Sequence, residues 1–234
     1  KKSYVNTIRA LQQHIEEFPG MKIHLLDEVY PMGDEVVLIY EATGRVVRPG
    51  GLPIEQGVIV YNVETMYNLY RALEEQKPVT DKYVSVVAEV GDPVTVHVPL
   101  GCTLDEVVAQ AGNITTKDPV FFVGGPMMGR AVYSDAFPII KNNNAILAFD
   151  GPQALIPEET GCIKCGRCHG ACPFKLLPVS IAEAYENKDV ERLQALEVMQ
   201  CMECGSCSYI CPARRPLAFI NKMSKGFLKE ATSK

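Results

Sequence analysis

The sequence lacks an excess of positive charge. Lysine and arginine together number 23, against 28 aspartate and glutamate residues, and the formal net charge at pH 7 is −5. A domain that binds nucleic acid or an anionic membrane surface carries a basic patch that attracts its ligand. The composition therefore argues against nucleic acid as a partner and against direct binding to anionic lipid.

The sequence also lacks long apolar runs. None approaches the roughly 18 to 20 residues that a helix needs to cross a bilayer. The first residues, Lys1-Lys2-Ser3-Tyr4, have no apolar core of the kind found in a signal peptide. We therefore expect a cytosolic protein without a transmembrane segment of its own. Its 234 residues are 47% hydrophobic and 22% charged, which suits a globular chain of one to three domains.

The cysteines are unevenly distributed. Eight of the nine lie within about fifty residues in the C-terminal part of the chain. An odd number of cysteines, clustered in a chain from a reducing compartment, does not indicate a disulfide framework. The clustering points instead to metal or redox chemistry.

The N-terminal third is expected to combine helices with loops rich in glycine and proline. Apolar residues recur at helical spacing over residues 4–18, and a strand-like run follows at 21–26. A domain rarely begins flush with a helix, so we expect further chain upstream of Lys1. Short apolar runs at 36–40 and 58–61 predict strands or a short helix. Asn62 is predicted to cap a helix that runs to about Gln76.

Residues 80–135 have a β pattern. Alternating apolar residues at 83–88 and 94–98 predict a hairpin. Thr103 and Glu106 have the spacing of a capping box, and the helix that they begin precedes a strand at 120–123. This order predicts a small β-grasp module. Residues 136–157 are interpreted as a linker.

The cysteine-rich domain is expected to begin near Ile156 and to occupy residues 158–234. Between its two cysteine loops, apolar residues recur at helical spacing over 178–187 and 189–200. The lysine-rich tail, residues 222–234, is expected to be the solvated end of a helix.

The cysteines form two copies of one motif. Three cysteines spaced by two residues, with glycine after the second, precede a Cys-Pro pair, and Cys201 repeats Cys162 after 39 residues. This run holds [4Fe-4S] clusters, and in two-cluster proteins its fourth cysteine binds the other cluster. We therefore assign two ligand sets. The first set is Cys162, Cys165, Cys168 and Cys211, and the second set is Cys201, Cys204, Cys207 and Cys172.

A pair of zinc sites is the alternative interpretation of the loops. Four-cysteine zinc modules also use Cys-x2-Cys pairs, but they seldom add a third cysteine two residues on and a Cys-Pro three beyond. A zinc-binding scaffold without redox chemistry is therefore the competing function. His169 lies in the first loop, but a Rieske centre needs two histidine ligands, so a surface or supporting role is expected. Basic residues near the loops either offset cluster charge or form a solvated rim: Lys164, Arg167, Lys175, Arg214 and Arg215.

Several segments resemble one known family. Those in the cysteine-rich part look like the C subunit of the Rnf electron-transport complex. Those upstream resemble stretches that three proteins share: the Rnf C subunit, the cobalamin reductase of propanediol-utilising microcompartments, and the electron-transfer protein of proline reductase. The resembling segments are 161–168, 201–207, 211–217, 30–35, 43–46, 50–53, 62–65 and 124–129.

The resemblance implies an α+β multidomain fold. The expected parts are the C-terminal portion of a flavin/NADH-binding α/β domain at 1–79, a β-grasp module of the soluble-ligand-binding type at 80–135, and a helical ferredoxin-like domain with two [4Fe-4S] clusters at 158–234.

Two segments also resemble the flavin subunit of complex I. Residues 33–35 and 62–65 look like its Gly-Glu-Glu and Asn-Val-Glu-Thr stretches, which lie against FMN. The alternative is structural: a turn and a helix N-cap. The family's glycine-rich loop for the flavin phosphate has no equivalent here, since Gly124-Gly125-Pro126 does not lie between a strand and a helix. The resemblance thus implies at most half a flavin site, with candidate contacts to FMN or NADH from Gly33, Asp34, Glu35 and Asn62.

The resemblance implies an electron-transfer function. In the full-length protein, electrons from NADH and FMN would pass through two [4Fe-4S] clusters to other redox subunits, as in a ferredoxin:NAD oxidoreductase of the Rnf type. Those partners are membrane-bound, so the protein would lie peripherally at the inner face of the cell membrane. A cobalamin reductase, or another soluble electron carrier of this family, is the alternative. These 234 residues are expected to transfer electrons rather than to oxidise NADH.

Overall fold

The computed structural model describes residues 1–154 and 157–233. The predicted start of the last domain, Ile156, lies outside these residues. Chain order runs from a helical N-terminal part, through a five-stranded sheet, to a helical domain that carries the two cysteine loops.

The N-terminal part contains three helices. They are α1 (Val5–His14), α2 (Glu35–Thr43) and α3 (Val63–Glu74), with short 3-10 turns at Ile15–Glu17 and Pro53–Gln56. Helices α1 and α3 form where helical spacing predicts them. Helix α2 resolves the ambiguity at 36–40 in favour of a helix.

The expected strand character of residues 21–26 and 58–61 is wrong. Residues 1–79, all of them described, contain no β-strand. A strand needs a neighbour to satisfy its backbone N–H and C=O groups, and no such neighbour lies in this part of the chain.

The sheet has the order β2-β1-β5-β3-β4. Strands β1 (Asp81–Ala88) and β2 (Val94–Pro99) form the predicted antiparallel hairpin, with Val84 opposite Val96. Helix α4 (Leu104–Val108) follows, and then strands β3 (Pro119–Val123), β4 (Arg130–Val132) and β5 (Ala145–Asp150). The predicted capping box is present, since the Thr103 N–H donates to Glu106 Oε2 at 2.9 Å.

The predicted linker at 136–157 is wrong for a large part of its length. Strand β5 lies in the centre of the sheet, parallel to β1 and antiparallel to β3. Its side chains Ile146 and Ala148 are fully buried, and so is Ile139 upstream. The flanking polar and proline-bearing stretches hid a short apolar run whose burial completes the core of the sheet.

The cysteine-rich domain is helical. Its helices are α6 (Arg167–Ala171), α7 (Pro178–Glu186), α8 (Val190–Ala195), α9 (Ser206–Tyr209) and α10 (Leu217–Thr232), and a short helix, α5 (Gly151–Ala154), precedes them. The tail is not simply solvated, because α10 buries Leu217, Asn221, Ser224 and Leu228 against the rest of the domain. A helix of this length is stabilised mainly by packing one face.

Ion pairs hold α3 against the sheet. Lys82, only 3% exposed, donates from Nζ to Glu64 Oε2 at 2.9 Å and to Asn144 Oδ1 at 3.0 Å. Arg71 and Asp81 form a two-pronged pair at 2.6 and 3.0 Å. Because a buried charge is tolerated only when paired and hydrogen-bonded, these contacts fix the N-terminal part on β1.

Candidate iron-sulfur and flavin sites

The first cysteine set surrounds one cavity. The cavity has a volume of about 260 Å³, and its walls include the three cysteines of the first loop together with Cys211 of the second loop. Apolar side chains from the start of α7, such as Leu177 and Val179, complete the walls. The chain thus brings the fourth cysteine of one loop to the first three of the other.

The second cysteine set is also assembled across the loops. Burial, with repulsion from the thiolates of Cys201, Cys204 and Cys172, raises the pKa of Cys207 to about 12. Burial also raises the pKa of Cys201, with a contribution from Cys172. In the first set, burial raises the pKa of Cys168, and Cys211 and Cys165 contribute.

These shifts describe a donor set that suits iron. In the absence of a cation the buried thiols of Cys168, Cys201 and Cys207 resist ionisation, whereas bound metal ions stabilise the thiolate form. Within the described residues, no three His, Cys, Asp or Glu side chains converge on a point that would hold a single metal ion. A [4Fe-4S] cubane does not need ligands that converge on one point, since its four thiolates bind four separate irons.

The loop backbones repeat the same unusual conformation. Lys164 and Gly166 in the first loop have φ of +56° and +74°, and Glu203 and Gly205 in the second have +60° and +83°. A non-glycine residue rarely adopts positive φ, and such positions concentrate at functional sites. Alternating backbone conformations of this kind turn successive N–H groups toward an anion. The Lys164 N–H accordingly donates to Cys162 Sγ at 3.4 Å.

Helix α10 places two polar side chains beside the second set. Asn221 Nδ2 lies 3.7 Å from Cys201 Sγ. Lys225 donates from Nζ to the Cys201 carbonyl at 2.7 Å and to Glu203 Oε1 at 2.8 Å. Burial opposes ionisation of Glu203, but the bond from Lys225 outweighs it and the pKa of Glu203 is lowered. No motif in the sequence marks either residue, since Lys225 lies in the tail expected to be solvated and Asn221 directly precedes that tail.

The basic residues around the loops have different roles. Arg215 pairs with Glu186 at 3.3 Å and with Glu159 at 3.8 Å, so its charge is partly offset. Lys175 donates to the Gly170 carbonyl at 3.1 Å. His169 makes a hydrogen bond from Nδ1 to the Leu176 carbonyl at 3.0 Å, which is a supporting role in the first loop.

The four candidate flavin contacts do not meet in one cavity. Asp34 caps α2, accepting from the N–H groups of Val36 and Val37, and Asn62 caps α3 by accepting from the Glu64 N–H at 2.9 Å. Asp34 lines a cavity of about 740 Å³ that reaches the second cysteine loop, whereas Asn62 lines a separate one of about 550 Å³ beside Tyr83. Gly33 and Glu35 flank Asp34 at the start of α2.

The cavity beside Asp34 connects the N-terminal part to the second cysteine set. Its walls carry Tyr30, Arg45 and Arg48 on one side and Cys201 on the other. The Tyr30 hydroxyl donates to the Cys204 carbonyl at 2.6 Å. Burial raises the pKa of Tyr30, with smaller contributions from Cys204 and Asp34. The motif at 30–35 contains Tyr30, but only the folded chain shows its contact with the cysteine loop.

Comparison with known proteins assigns the chain to a family. It is 40% identical over 189 residues to the cobalamin reductase PduS of Citrobacter freundii, covering 76% of this chain and 42% of that protein. It is 33% identical over 221 residues to the C subunit of the Na+-translocating ferredoxin:NAD+ oxidoreductase complex of Acetobacterium woodii, covering 94% and 50%. The chain belongs to the RnfC-like family. It spans half or less of the length of these two relatives.

Two domain families match parts of this RnfC-like chain. Residues 1–71 match the Nuo51 FMN-binding domain, and residues 154–212 match a 4Fe-4S dicluster domain. These matches confirm the cofactor classes predicted from the sequence, FMN and two [4Fe-4S] clusters. The individual ligands and flavin contacts stay predictions.

A solved structure shares the fold. A chain in the crystal structure of an NAD+-reducing [NiFe]-hydrogenase in the H2-reduced state matches 97% of this chain with a TM-score of 0.52 and 19% identity, over 45% of its own length. Together with the sheet and the helical cysteine domain, this match confirms the predicted α+β multidomain class. Among the described residues, no helix is long and apolar enough to cross a membrane.

Proposed function

We propose that this chain is the electron-transfer portion of an NADH-linked oxidoreductase, with the two cysteine sets as the ligands of its two [4Fe-4S] clusters. The observation that carries the proposal is the cavity that Cys211 lines together with the three cysteines of the first loop. The effect of Cys172 on the pKa of Cys207 supports the second set. A bound cluster of this kind accepts and releases one electron at a potential set by its surroundings.

The residues of the chain hold the clusters and control their environment. The left-handed residues in each loop direct N–H groups toward the thiolates, which stabilises negative charge at the site. Apolar side chains from α7 line the first set and limit its contact with water. Lys225 and Glu203 clamp the backbone at Cys201 in the second set.

The placement of the two cysteine sets favours one direction of electron transfer, from the second set to the first. The second set lies beside the cavity that carries Asp34 and Tyr30, so we place the flavin on that side. In this proposal Gly33, Asp34 and Glu35 contact the cofactor from the start of α2, and Asn62 contacts it or NADH from the start of α3. The first set includes the exposed Cys165 and offers the exit toward a redox partner.

The sheet domain is proposed to be a β-grasp module of the soluble-ligand-binding type. Its support is the central parallel pair β1 and β5, with an antiparallel partner on each outer side and α4 packed in the core. In this proposal the domain spans residues 80–150 and includes β5, instead of ending at residue 135.

Two acceptors are supported by the relatives. The relative from an ion-translocating complex suggests other redox subunits at a membrane as partners, with this protein bound peripherally at its inner face. The higher identity to a protein named cobalamin reductase favours a corrinoid as the alternative acceptor. Mixing the reduced protein with cob(III)alamin under anaerobic conditions distinguishes the two acceptors. If the acceptor is a corrinoid, the clusters are rapidly reoxidised.

Iron analysis tests the cluster proposal itself. After anaerobic purification we expect about eight irons and eight acid-labile sulfides per chain, the content of two cubanes. Cys102→Ser is the matched control, since Cys102 lies beside the sheet core and outside both cysteine sets. Stoichiometric zinc without sulfide after reconstitution would instead establish the zinc scaffold.

A further inference from the structure

Asn221 is an unusual polar residue in the core of the cysteine domain. It is 1% exposed, on the buried face of α10. Its amide nitrogen Nδ2 points at Cys201 Sγ at 3.7 Å, within reach of an N–H···S hydrogen bond. Its amide oxygen Oδ1 has no hydrogen-bond partner among the described residues.

The burial of this amide costs stability. A buried carbonyl oxygen without a donor loses its bonds to water and gains nothing in return. A leucine of similar volume would fill the same space without that loss. The reverse orientation of the amide would place its oxygen against an anionic thiolate, so the nitrogen faces the sulfur. Among the described residues, the one favourable polar contact of the side chain is therefore with a proposed cluster ligand.

The internal repeat provides a comparison within the chain. Cys201 follows Cys162 by 39 residues, and the same offset relates Asn221 on α10 to Ala182 on α7. Ala182 is also fully buried, and it packs near Cys168 and Cys211 of the first set. One repeat thus carries an amide donor where the other carries a methyl group.

The charged residues near the donor position also differ between α10 and α7. Lys225 and Lys222, on the same helix, lie 2.8 and 3.5 Å from Glu203. The 39-residue offset relates these two lysines to Glu186 and Glu183. Helix α10 thus carries an amide donor and two lysines beside the second loop, where α7 carries a methyl group and two glutamates that pair with Arg192 and Arg215.

We propose that Asn221 is a positioning residue that donates a hydrogen bond to the Cys201 thiolate and raises the reduction potential of the cluster held by the second set. A donor to a ligand sulfur stabilises the reduced cluster, which carries one more negative charge. Among the described residues, α7 gives the first set no such donor. This inference rests on the proposed assignment of the two cysteine sets.

The test compares Asn221→Leu with a control on the same helix. Ser224→Ala removes another fully buried polar group, whose hydroxyl bonds to the Ile220 carbonyl and not to a cysteine. Both midpoint potentials are measured by anaerobic redox titration with EPR detection on the full chain. We expect Asn221→Leu to shift one midpoint to lower potential and leave the other in place, while Ser224→Ala moves neither.

A second variant guards against a loss of folding. Asn221→Asp keeps the shape, replaces the donor by an acceptor, and is expected to lower the same midpoint further. Two unchanged midpoints in a variant that retains eight irons would overturn the role of Asn221, and so would equal shifts of both. Wild-type protein with zinc, or with fewer than two clusters, would instead contradict the proposed function.

Discussion

The two cysteine loops have the same spacing and the same backbone conformation, but they lie in different surroundings. In the first loop Cys165 is exposed and the cavity opens at the surface. In the second loop Cys204 and Cys207 are 8% and 7% exposed, and contacts come from Tyr30, from Met127 and from α10. The repeat therefore specifies how a cluster is held, while the rest of the fold specifies what surrounds it.

The largest expected effects, on iron content and on thermal stability, follow from removing one proposed cluster ligand in each loop. Cys207→Ser and Cys165→Ser are each expected to lose about four irons per chain, because each removes a ligand of one cubane. Cys207→Ser is expected also to lower the thermal unfolding midpoint of the helical domain, since Cys207 packs in its core with Ala182 and Leu217. Iron analysis and circular dichroism test this, and equal midpoints in both variants would contradict the difference in burial.

A glycine in each loop gives the next largest effect. Gly205 has φ of +83°, and an added Cβ would lie 2.9 Å from the Met127 carbonyl oxygen in the sheet domain. Gly166 has φ of +74° with no atom within 4 Å of an added Cβ. Gly166→Ala should cost about 1 to 2 kcal/mol from backbone strain alone, and Gly205→Ala about 1 to 3 kcal/mol more from the overlap.

Denaturant titration of the two alanine variants, followed by cluster absorbance, measures that difference. The Gly166→Ala variant serves as the matched control for strain. Equal destabilisation would show that the second loop does not pack against the sheet domain as described.

A substitution at Tyr30 tests the hydrogen bond between the N-terminal part and the second loop. Tyr30→Phe removes the hydroxyl that donates to the Cys204 carbonyl at 2.6 Å. We expect a loss of about 0.5 to 1.5 kcal/mol in the free energy of unfolding, the usual net value of such a bond. Tyr133→Phe, at a fully exposed side chain, is the control and should change nothing. A result in which both variants behave alike would remove this contact from the account.

The smallest effect concerns the Arg71–Asp81 pair, which holds α3 on the sheet and makes no contact with either cysteine loop among the described residues. The bonds from Arg71 and His97 hold the pKa of Asp81 well below its ordinary value of 3.8. A carboxylate with a lowered pKa contributes stability above the pKa of the unfolded chain and loses it as the pH falls below that value. Asp81→Asn should therefore destabilise the protein near neutral pH, by less than about 1 kcal/mol for a partly exposed pair.

The pH dependence provides the check on that variant. The difference in unfolding midpoint between wild type and Asp81→Asn is expected to be constant above about pH 5 and to shrink below about pH 4. A difference that grew on acidification would have the wrong sign for a depressed carboxyl pKa.

Much of this organisation follows from local patterns. The capping box at Thr103, the hairpin of β1 and β2, and the helix after Asn62 depend on short-range hydrogen bonds and periodicity, so the sequence predicts them correctly. Spacing also predicts the crossed cysteine sets, which stay a prediction, and the four cysteines of the first set line one cavity. The cofactor classes and the family also follow from motifs.

The parts that the sequence does not predict depend on contacts between distant segments. Strand β5 resembles a linker in the sequence because its partners, β1 and β3, lie elsewhere in the chain. Residues 21–26 are mistaken for a strand for the opposite reason, since no strand among the described residues pairs with them and the Leu26 carbonyl only accepts an isolated bond from the Lys2 N–H at 3.3 Å. Asn221 and the Tyr30 contact to Cys204 become visible only when α10 and the N-terminal part are placed against the second loop.

Iron counting in two double variants tests the crossed assignment most directly. In this account Cys165 and Cys211 serve one cluster, so Cys165→Ser/Cys211→Ser should retain about four irons per chain, the content of one intact cubane. Cys165→Ser/Cys172→Ser removes a ligand from each set and should retain almost none. The reverse outcome, with iron kept in the second double variant and lost in the first, would show that each loop binds its own cluster and would contradict the account.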